Sequence, residues 1–326
     1  MLRVAILGAG FMGETHAAAW GNVDRARLEA IATLDPAVHK WLRDFPVRVT
    51  TDLRELVRAP EIDVVDVCLP TPLHGPWAVE AAKAGKAVLC EKPLTRDWEE
   101  AERVAAALGR SGGRFMPAHV VRFFTEYRAA RSIAQRGEIG RVCTARTFRG
   151  GAAPAWAEWI LDPVQSGGIL VDLLVHDFDY LRWVLGPVRR VHARVASGTG
   201  STGRHALVVL RFAGGAVAHV EGSWAYPPGS PFRTRLELAG SGGLIAHDSR
   251  DVHPLSVHTG VAVAEARYPL SSLDPDPYTL MVRHFAESVE SGAAFEVQLD
   301  DAVAAVRIAG AAVASAATGA PVDVVA

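Results

Sequence analysis

The sequence predicts an α/β chain in two parts. Residues 1–119 should form a doubly wound parallel sheet, and residues 120–326 an α+β part built on a large, mainly antiparallel sheet. Three observations carry this. An aliphatic strand, Arg3–Leu7, runs into Gly8, Gly10 and Gly13 in G-x-G-x-x-G spacing and then into an Ala-rich helical stretch, Phe11–Trp20. Apolar strands and helical segments alternate from there to about residue 117, the order of a parallel sheet with helices on both faces. From Val188 onward an apolar/polar alternation takes over, as in strands with one face buried.

Each glycine of the opening turn has a physical task. Gly8 permits the turn off the strand, Gly10 lets a pyrophosphate approach the backbone, and Gly13 lets helix and strand pack closely. The helix N-terminus, with Phe11 and Met12 in its first turn, offers N–H groups and a positive dipole end to the phosphates. The next strand, Leu28–Leu34, ends at Asp35, twenty-two residues after Gly13. A carboxylate there can accept from the ribose hydroxyls of a dinucleotide. Pro36, Ala37 and Val38 hold no cation for a 2′-phosphate, although His39 and Lys40 are near. The reading is NAD, with NADP possible. The alternative role for Asp35 is the cap of a helix starting at Pro36.

The chain then reads as a helical segment Val38–Asp44, a short strand Val47–Val49 and a helix Asp52–Arg58. Ile62–Leu69 is a buried strand broken in character only by Asp63 and Asp66, and Pro70-Thr71-Pro72 stops it. A helix His74–Lys83 ends at Gly85, and a strand Ala87–Cys90 follows. Thr95 or Asp97 caps a helix running to about Leu108, and Arg114–Pro117 is the last strand of this part. Ligands of such a sheet lie at the carboxyl ends of its strands. The loops Gly8–Gly13, Pro70–His74 with Thr71, and Glu91–Pro93 are therefore the expected cofactor contacts. Lys92 sits at that rim, where an ammonium can stabilise an alkoxide or shift a neighbouring acid or base. The bland alternative is a surface lysine.

His119–Tyr127 crosses into the second part, and Thr125–Arg136 is helical until Gly137 and Gly140 break it. Arg141–Phe148 alternates and starts the second sheet. Gly150–Gln165 lacks periodicity and holds Trp156 and Trp159, rings suited to stacking on a sugar or to plugging an interface. Gly167-Gly168 opens what reads as a single helix, with Asp172 and His176 at i and i+4 on one face and Asp179 close to it. A polar stripe on so apolar a helix demands partners. A metal held by Asp172, His176 and Asp179 is the sharper rival, but no further His or Cys lies nearby in sequence, and no metal is expected. Strands follow at Val188–Ala196, His205–Phe212, Ala216–Trp224, Arg233–Ala239 and Leu244–His247, with weaker ones to Tyr268 and a hairpin turn at Gly214-Gly215. A helix Pro275–Ser291 and an Ala-rich helix from Asp300 to about Ala317 close the chain, the last expected to return to the first part.

Composition bounds the function. The 326 residues carry a net charge of −2, with acidic and basic residues interspersed, so neither nucleic acid nor a membrane is expected as a partner. The N-terminus runs straight into a strand, leaving no room for a signal peptide, and no apolar run of spanning length is read. Cys68, Cys90 and Cys143 have no CxxC spacing and read as reduced thiols in a cytoplasmic protein.

GAGFMG, LPTPLH at Leu69–His74, AGKAVLCEKPL at Ala84–Leu94 and GGILVDLLVHDFDYLRWVLG at Gly167–Gly186 together resemble the glucose–fructose oxidoreductase / inositol dehydrogenase / MocA (Gfo/Idh/MocA) family. The resemblance covers essentially the whole chain, and its specific motifs are the EKP tripeptide and the D-x-x-x-H helix. It implies a Rossmann domain followed by a domain with an open, mainly antiparallel sheet, through which some members form homo-oligomers such as dimers or tetramers. It implies NAD(P)-dependent hydride transfer at a secondary alcohol of a sugar, cyclitol or related polyol, with Lys92, Asp172 and His176 as the catalytic residues. Arg122 resembles a family position near the active site, against the plainer reading of a salt-bridged residue. Two other activities fit the same pattern: an NAD-dependent glycoside hydrolase and a non-catalytic NAD-sensing protein.

Overall fold

The computed structural model describes residues 1–154, 158–197, 204–251, 255–259, 266–268 and 275–324. The chain divides into two compact units. One takes in residues 1–123 and 275–303, the other residues 124–274 and 304–326. Residues 275–303, expected with the C-terminal part, thus lie in the first unit.

The first unit is built on β1 (Leu2–Leu7), β2 (Ala26–Ala32), β3 (Arg48–Thr50), β4 (Val64–Val67), β5 (Ala87–Glu91) and β6 (Phe115–Ala118). Their order is β3-β2-β1-β4-β5-β6, with every neighbouring pair parallel. The strands are short aliphatic runs, and β4 and β5 are buried throughout, as covered parallel strands must be. The helices between them are α1 (Phe11–Trp20), α2 (Leu53–Arg58), α3 (His74–Lys83) and α4 (Trp98–Ser111). Asp52 caps α2, and Asp97 rather than Thr95 caps α4 by accepting from the Glu100 N–H.

Three elements differ from expectation, the first being β2, which runs Ala26–Ala32 rather than Leu28–Leu34 and so ends three residues before Asp35. Val38–Asp44 forms no α-helix but two short 3-10 turns, Pro36–Val38 and Lys40–Asp44. Strand β4 begins two residues late because Ile62 closes a turn on the Ala59 carbonyl. The Lys86 ammonium fastens that turn, donating to the Ala59 and Ile62 carbonyls at 2.6 and 2.7 Å.

A later helix, α10 (Pro277–Ser291), completes this unit by packing on α1. Phe285 lies edge-on to Trp20 and stacks on Phe295 at 5.2 Å. Arg114, beside β6, donates to the carbonyls of Ser288, Gly292 and Ala293 at the end of α10 and lies over the Phe295 ring, satisfying carbonyls that a helix terminus leaves open.

In the second unit, α5 (Thr125–Gln135) precedes β7 (Val142–Ala152). Then come the short helices α6 (Glu158–Leu161), α7 (Pro163–Ser166) and α8 (Ile169–Asp172), and the longer α9 (Val175–Leu185). The remaining strands are β8 (Val188–Ser197), β9 (Arg204–Phe212), β10 (Val217–Tyr226), β11 (Arg233–Gly240), β12 (Gly243–Asp248), β13 (Leu255–Thr259), β14 (Ala266–Tyr268) and β15 (Val322–Asp323). Among the described residues they form one sheet in the order β14-β13-β12-β11-β7-β10-β9-β8-β15. Only β7 and β10 pair in parallel; their neighbours are antiparallel. On β9 the alternation is plain: Ala206, Val208, Leu210 and Phe212 are buried, while Leu207, Val209 and Arg211 are exposed. The expected hairpin at Gly214-Gly215 joins β9 to β10, with Gly215 at φ 89°.

The single helix expected from Gly168 is two. The Leu174 N–H reaches the Ile169 carbonyl, five residues back, and ends α8; the Asp177 and Phe178 N–H groups then both turn to the Leu174 carbonyl and start α9. A wide, π-type turn of this kind changes the face on which later residues emerge. Leu174 is pressed onto β10 at Gly222, where a Cβ would stand 2.8 Å from its Cδ2.

The closing helix, α11 (Leu299–Thr318), was expected to return to the first part. From residue 304 it belongs to the second unit, where Ser315 Oγ accepts from the Ala193 N–H and donates to the Ala320 carbonyl. By length and composition α11 is long and apolar enough to cross a bilayer, which the sequence reading missed. Half of that window is buried in the protein, as in a core helix. Phe285→Ala removes a fully buried ring and should cost about 3–5 kcal/mol, read as a drop in the denaturation midpoint.

Candidate active site

The turn after β1 behaves as its glycines demand. Gly8 has φ +105°, and a Cβ on it would collide with the Cys68 carbonyl. A Cβ on Gly13 would collide with the Gly8 carbonyl, so α1 can lie this close only with glycine there. Gly10 is different: a Cβ on it meets nothing within 4 Å. It is the exposed N-cap of α1 and offers no side chain to the first-turn amides of Phe11, Met12 and Gly13. Two glycines therefore serve packing, and the third leaves the helix terminus open to an anion.

The surroundings fit a dinucleotide. Phe11, Leu34 and Val38 are each more than half exposed, and Leu73 is also exposed. These apolar side chains follow the carboxyl ends of β1, β2 and β4, where a ligand would cover them. Thr71 Oγ1, in the loop after β4 beside Pro70, is buried with no hydrogen-bond partner among the described residues. Trp41 Nε1 donates to the Ala9 carbonyl and so steadies the glycine turn. Asp35 is exposed and takes up its capping role, accepting from the Ala37 N–H with Pro36 at the first helical position.

Other expected contacts are spent inside the protein. His74 is buried, and its Nδ1 and Nε2 lie 2.7 and 2.6 Å from the carbonyls of Pro93 and Leu69. Burial pushes its pKa below the ordinary value against those two carbonyls. It ties the loop after β4 to the loop after β5, and its polar atoms are not offered to a cofactor. Glu91 is buried as well: Oε1 meets the His16 ring, and Oε2 accepts from the Lys92 N–H at 3.1 Å. Lys92 itself is half-buried at the end of β5. Arg122 is 1% exposed, with Nη1 donating to Asp301 and to the Glu296 carbonyl. The salt-bridged reading is the one its geometry bears out, and a substrate contact is not.

The sequence reading missed His16. The ring is fully buried on α1, with Nδ1 2.9 Å from Asp66 Oδ2 on β4 and Nε2 3.1 Å from Glu91 Oε1 on β5. Trp20 Nε1 also donates to Asp66 Oδ2, and the Cys68 thiol to Asp66 Oδ1. A neutral imidazole can donate to one carboxylate only; the imidazolium donates to both. Burial opposes the charge, yet Asp66 and Cys68 against the ring together raise the His16 pKa well above its usual range. Burial likewise works against the Glu91 carboxylate, but the His16 ring holds its pKa below the ordinary value. The signal was present in the sequence: one histidine on an Ala-rich helix and one aspartate inside an aliphatic strand are costly unless they meet. His16, Asp66 and Cys68 each place a donor atom within 4.8 Å of the others, yet those atoms already serve hydrogen bonds among themselves.

The second unit carries the other expected residues. Asp172 is buried at the end of α8, and His176 is half-buried in the first turn of α9. The turn at Leu173-Leu174 separates them, so an i,i+4 face on one continuous helix does not describe the pair. Asp179 is fully buried, and the neighbouring Asp177 forms a buried ion pair with Arg149 at 2.8 Å. Trp159 is half-buried on α6, and Trp156 lies outside the described residues.

An open helix terminus after the first strand of a parallel sheet, under exposed apolar side chains, defines a dinucleotide-binding protein. Residues 2–119 match the oxidoreductase family with an NAD-binding Rossmann fold, and residues 127–246 match the GFO/IDH/MocA C-terminal domain. The chain belongs to the GFO/IDH/MocA family of NAD-binding oxidoreductases. It is 32% identical to the inositol 2-dehydrogenase of Rhizobium meliloti, over 97% of each chain. Its fold is similar to that of a putative myo-inositol dehydrogenase from Sinorhizobium meliloti 1021 (TM-score 0.84, 28% identity, all of both chains). It is also similar to a levoglucosan dehydrogenase in complex with NADH and levoglucosan (TM-score 0.88, 26% identity, 99% of each chain).

Two outcomes follow from this geometry. Gly10→Val should leave the thermal midpoint near that of the parent while weakening NAD binding, whereas Gly13→Ala should lower the midpoint; melting curves and fluorescence titration with NAD separate them. The raised pKa of His16 contributes stability that is complete below about pH 6.5 and is lost as pH rises through the folded value. The midpoint of the parent protein should therefore fall above that pH, and the component should be missing in His16→Gln.

Proposed function

We propose that the protein is an NAD-dependent dehydrogenase of a secondary alcohol in a sugar, cyclitol or related polyol. The observation that carries the reading is the place of Lys92, directly after β5 at the carboxyl end of the sheet, with its backbone N–H held by Glu91. The relatives named above, an inositol dehydrogenase and a levoglucosan dehydrogenase, support the substrate class.

Gly8, Gly10, Gly13, the first-turn amides of α1, Asp35 and Thr71 would hold the dinucleotide. Bound NAD supplies a two-electron acceptor at its nicotinamide ring. His176 takes the proton from the alcohol, since imidazole titrates near working pH. Asp172 orients the hydroxyl or the imidazole. The Lys92 ammonium stabilises the alkoxide as it develops. In the reducing direction the same groups return the proton. Exposed Leu207, Val209 and Val217 on β9 and β10 support a homo-oligomer formed through the sheet of the second unit.

Lys92→Ala and His176→Ala should each lower turnover by about 10²–10⁴-fold, while NAD still quenches protein fluorescence. Near-parental turnover in both variants removes the mechanism. Absorbance at 340 nm with NAD and NADP against sugars, inositols and their derivatives identifies the substrate. Free sugar released from an aryl glycoside without net NADH would point to the hydrolase instead, and a flat signal over the whole panel to the sensor.

A further inference from the structure

We infer that His16 is a positioning residue for Lys92: a buried ring on α1 that holds the Glu91 side chain, which in turn holds the backbone of Lys92. This rests on the role proposed for Lys92 and goes beyond it.

The chain of contacts is continuous and lies wholly within the first unit. Asp66 Oδ2 is fixed by two donors, Trp20 Nε1 at 2.8 Å and His16 Nδ1 at 2.9 Å. The other ring nitrogen of His16 meets Glu91 Oε1 at 3.1 Å, and Glu91 Oε2 accepts from the Lys92 N–H at 3.1 Å. The elements so joined are α1, β4 and β5, whose ends carry the glycine turn, the Thr71 loop and Lys92. Helix α10 closes the far side, where the Tyr278 ring lies 5.8 Å from His16. The titratable and charged groups facing the ring are Asp66 and Cys68 from β4 and its end, Glu91 from β5 and Tyr278 from α10; Lys92 faces Glu91.

Geometry shows why a histidine is used. Glu91 and Asp66 are both out of water, and a single side chain must donate to both at once from opposite ends. An imidazolium does this with two rigid N–H groups. A lysine would need a flexible stem, and a glutamine carries donors at one end only. Glu91 in turn spends one oxygen on the ring and the other on the next peptide unit. Movement of the ring therefore reaches the Lys92 backbone through one carboxylate. A misplacement of about 1 Å at a reacting group is enough to cost about 100-fold in rate.

The test is a double-mutant cycle with the full-length protein and NAD. His16→Gln should lower kcat by about 100-fold while leaving NAD affinity close to parental. Glu91→Gln, which keeps the side-chain volume and serves should His16→Gln fail to fold, should also lower kcat. In a Lys92→Ala background neither substitution should lower the residual rate further, because the group they position is gone. A parental kcat in both single variants overturns the inference. So does full additivity with Lys92→Ala, the result of a purely structural role. Parental turnover in Lys92→Ala alone overturns the role of Lys92, and this inference with it; loss of turnover there with parental His16→Gln and Glu91→Gln overturns the inference alone.

Discussion

The arrangement of the first unit depends on one close approach, between the backbone of α1 and the turn that leads into it. Because Gly13 carries no Cβ, the helix can rest against the Gly8 carbonyl. That depth has two results. The helix N-terminus comes to the carboxyl edge of the sheet, and among the described residues a Cβ on Gly10 would meet nothing within 4 Å. One turn further on, the ring of His16 reaches β4 and β5 and neutralises charge there that the apolar strands could not otherwise tolerate. The open helix terminus and the buried ion cluster are thus two outcomes of the same packing distance.

Much of the architecture was legible because it follows from period and punctuation. The strand–glycine–helix opening, the alternation of elements and the even-odd burial on β9 all have local causes. Placement of Asp97 as a cap and of Gly214-Gly215 as a hairpin turn rests on the same short-range chemistry. What spacing could not reveal depends on contacts distant in sequence. Nothing local in ILVDLLVHDF signals that Leu174 will be pressed onto Gly222 and open a wide turn between Asp172 and His176. Nor does the stretch around Arg122 disclose that its guanidinium will meet Asp301, 179 positions away.

The candidate site divides in the same way. The dinucleotide turn could be read from residue types alone, since each glycine has one physical reason to be there. Of the other side chains expected at a cofactor, His74 and Glu91 turned inward, and their polar atoms hold loops together. A motif identifies such residues as a group; it does not distinguish those that meet the ligand from those that hold the ones that do. Lys92 and Glu91 are adjacent, and the chemistry proposed for the first is supported by the hydrogen bonds of the second.

The first unit is assembled from two stretches separated by about half the chain, residues 1–123 and 275–303. Trp20 and His16 acquire their neighbours Phe285 and Tyr278 only from the second stretch. During vectorial synthesis, the nascent nucleotide-binding half therefore leaves the ribosome with that flank of α1 bare, and it waits there while some 150 further residues are made. Chaperone engagement at this flank would be a consequence of gene order rather than of instability in the finished protein.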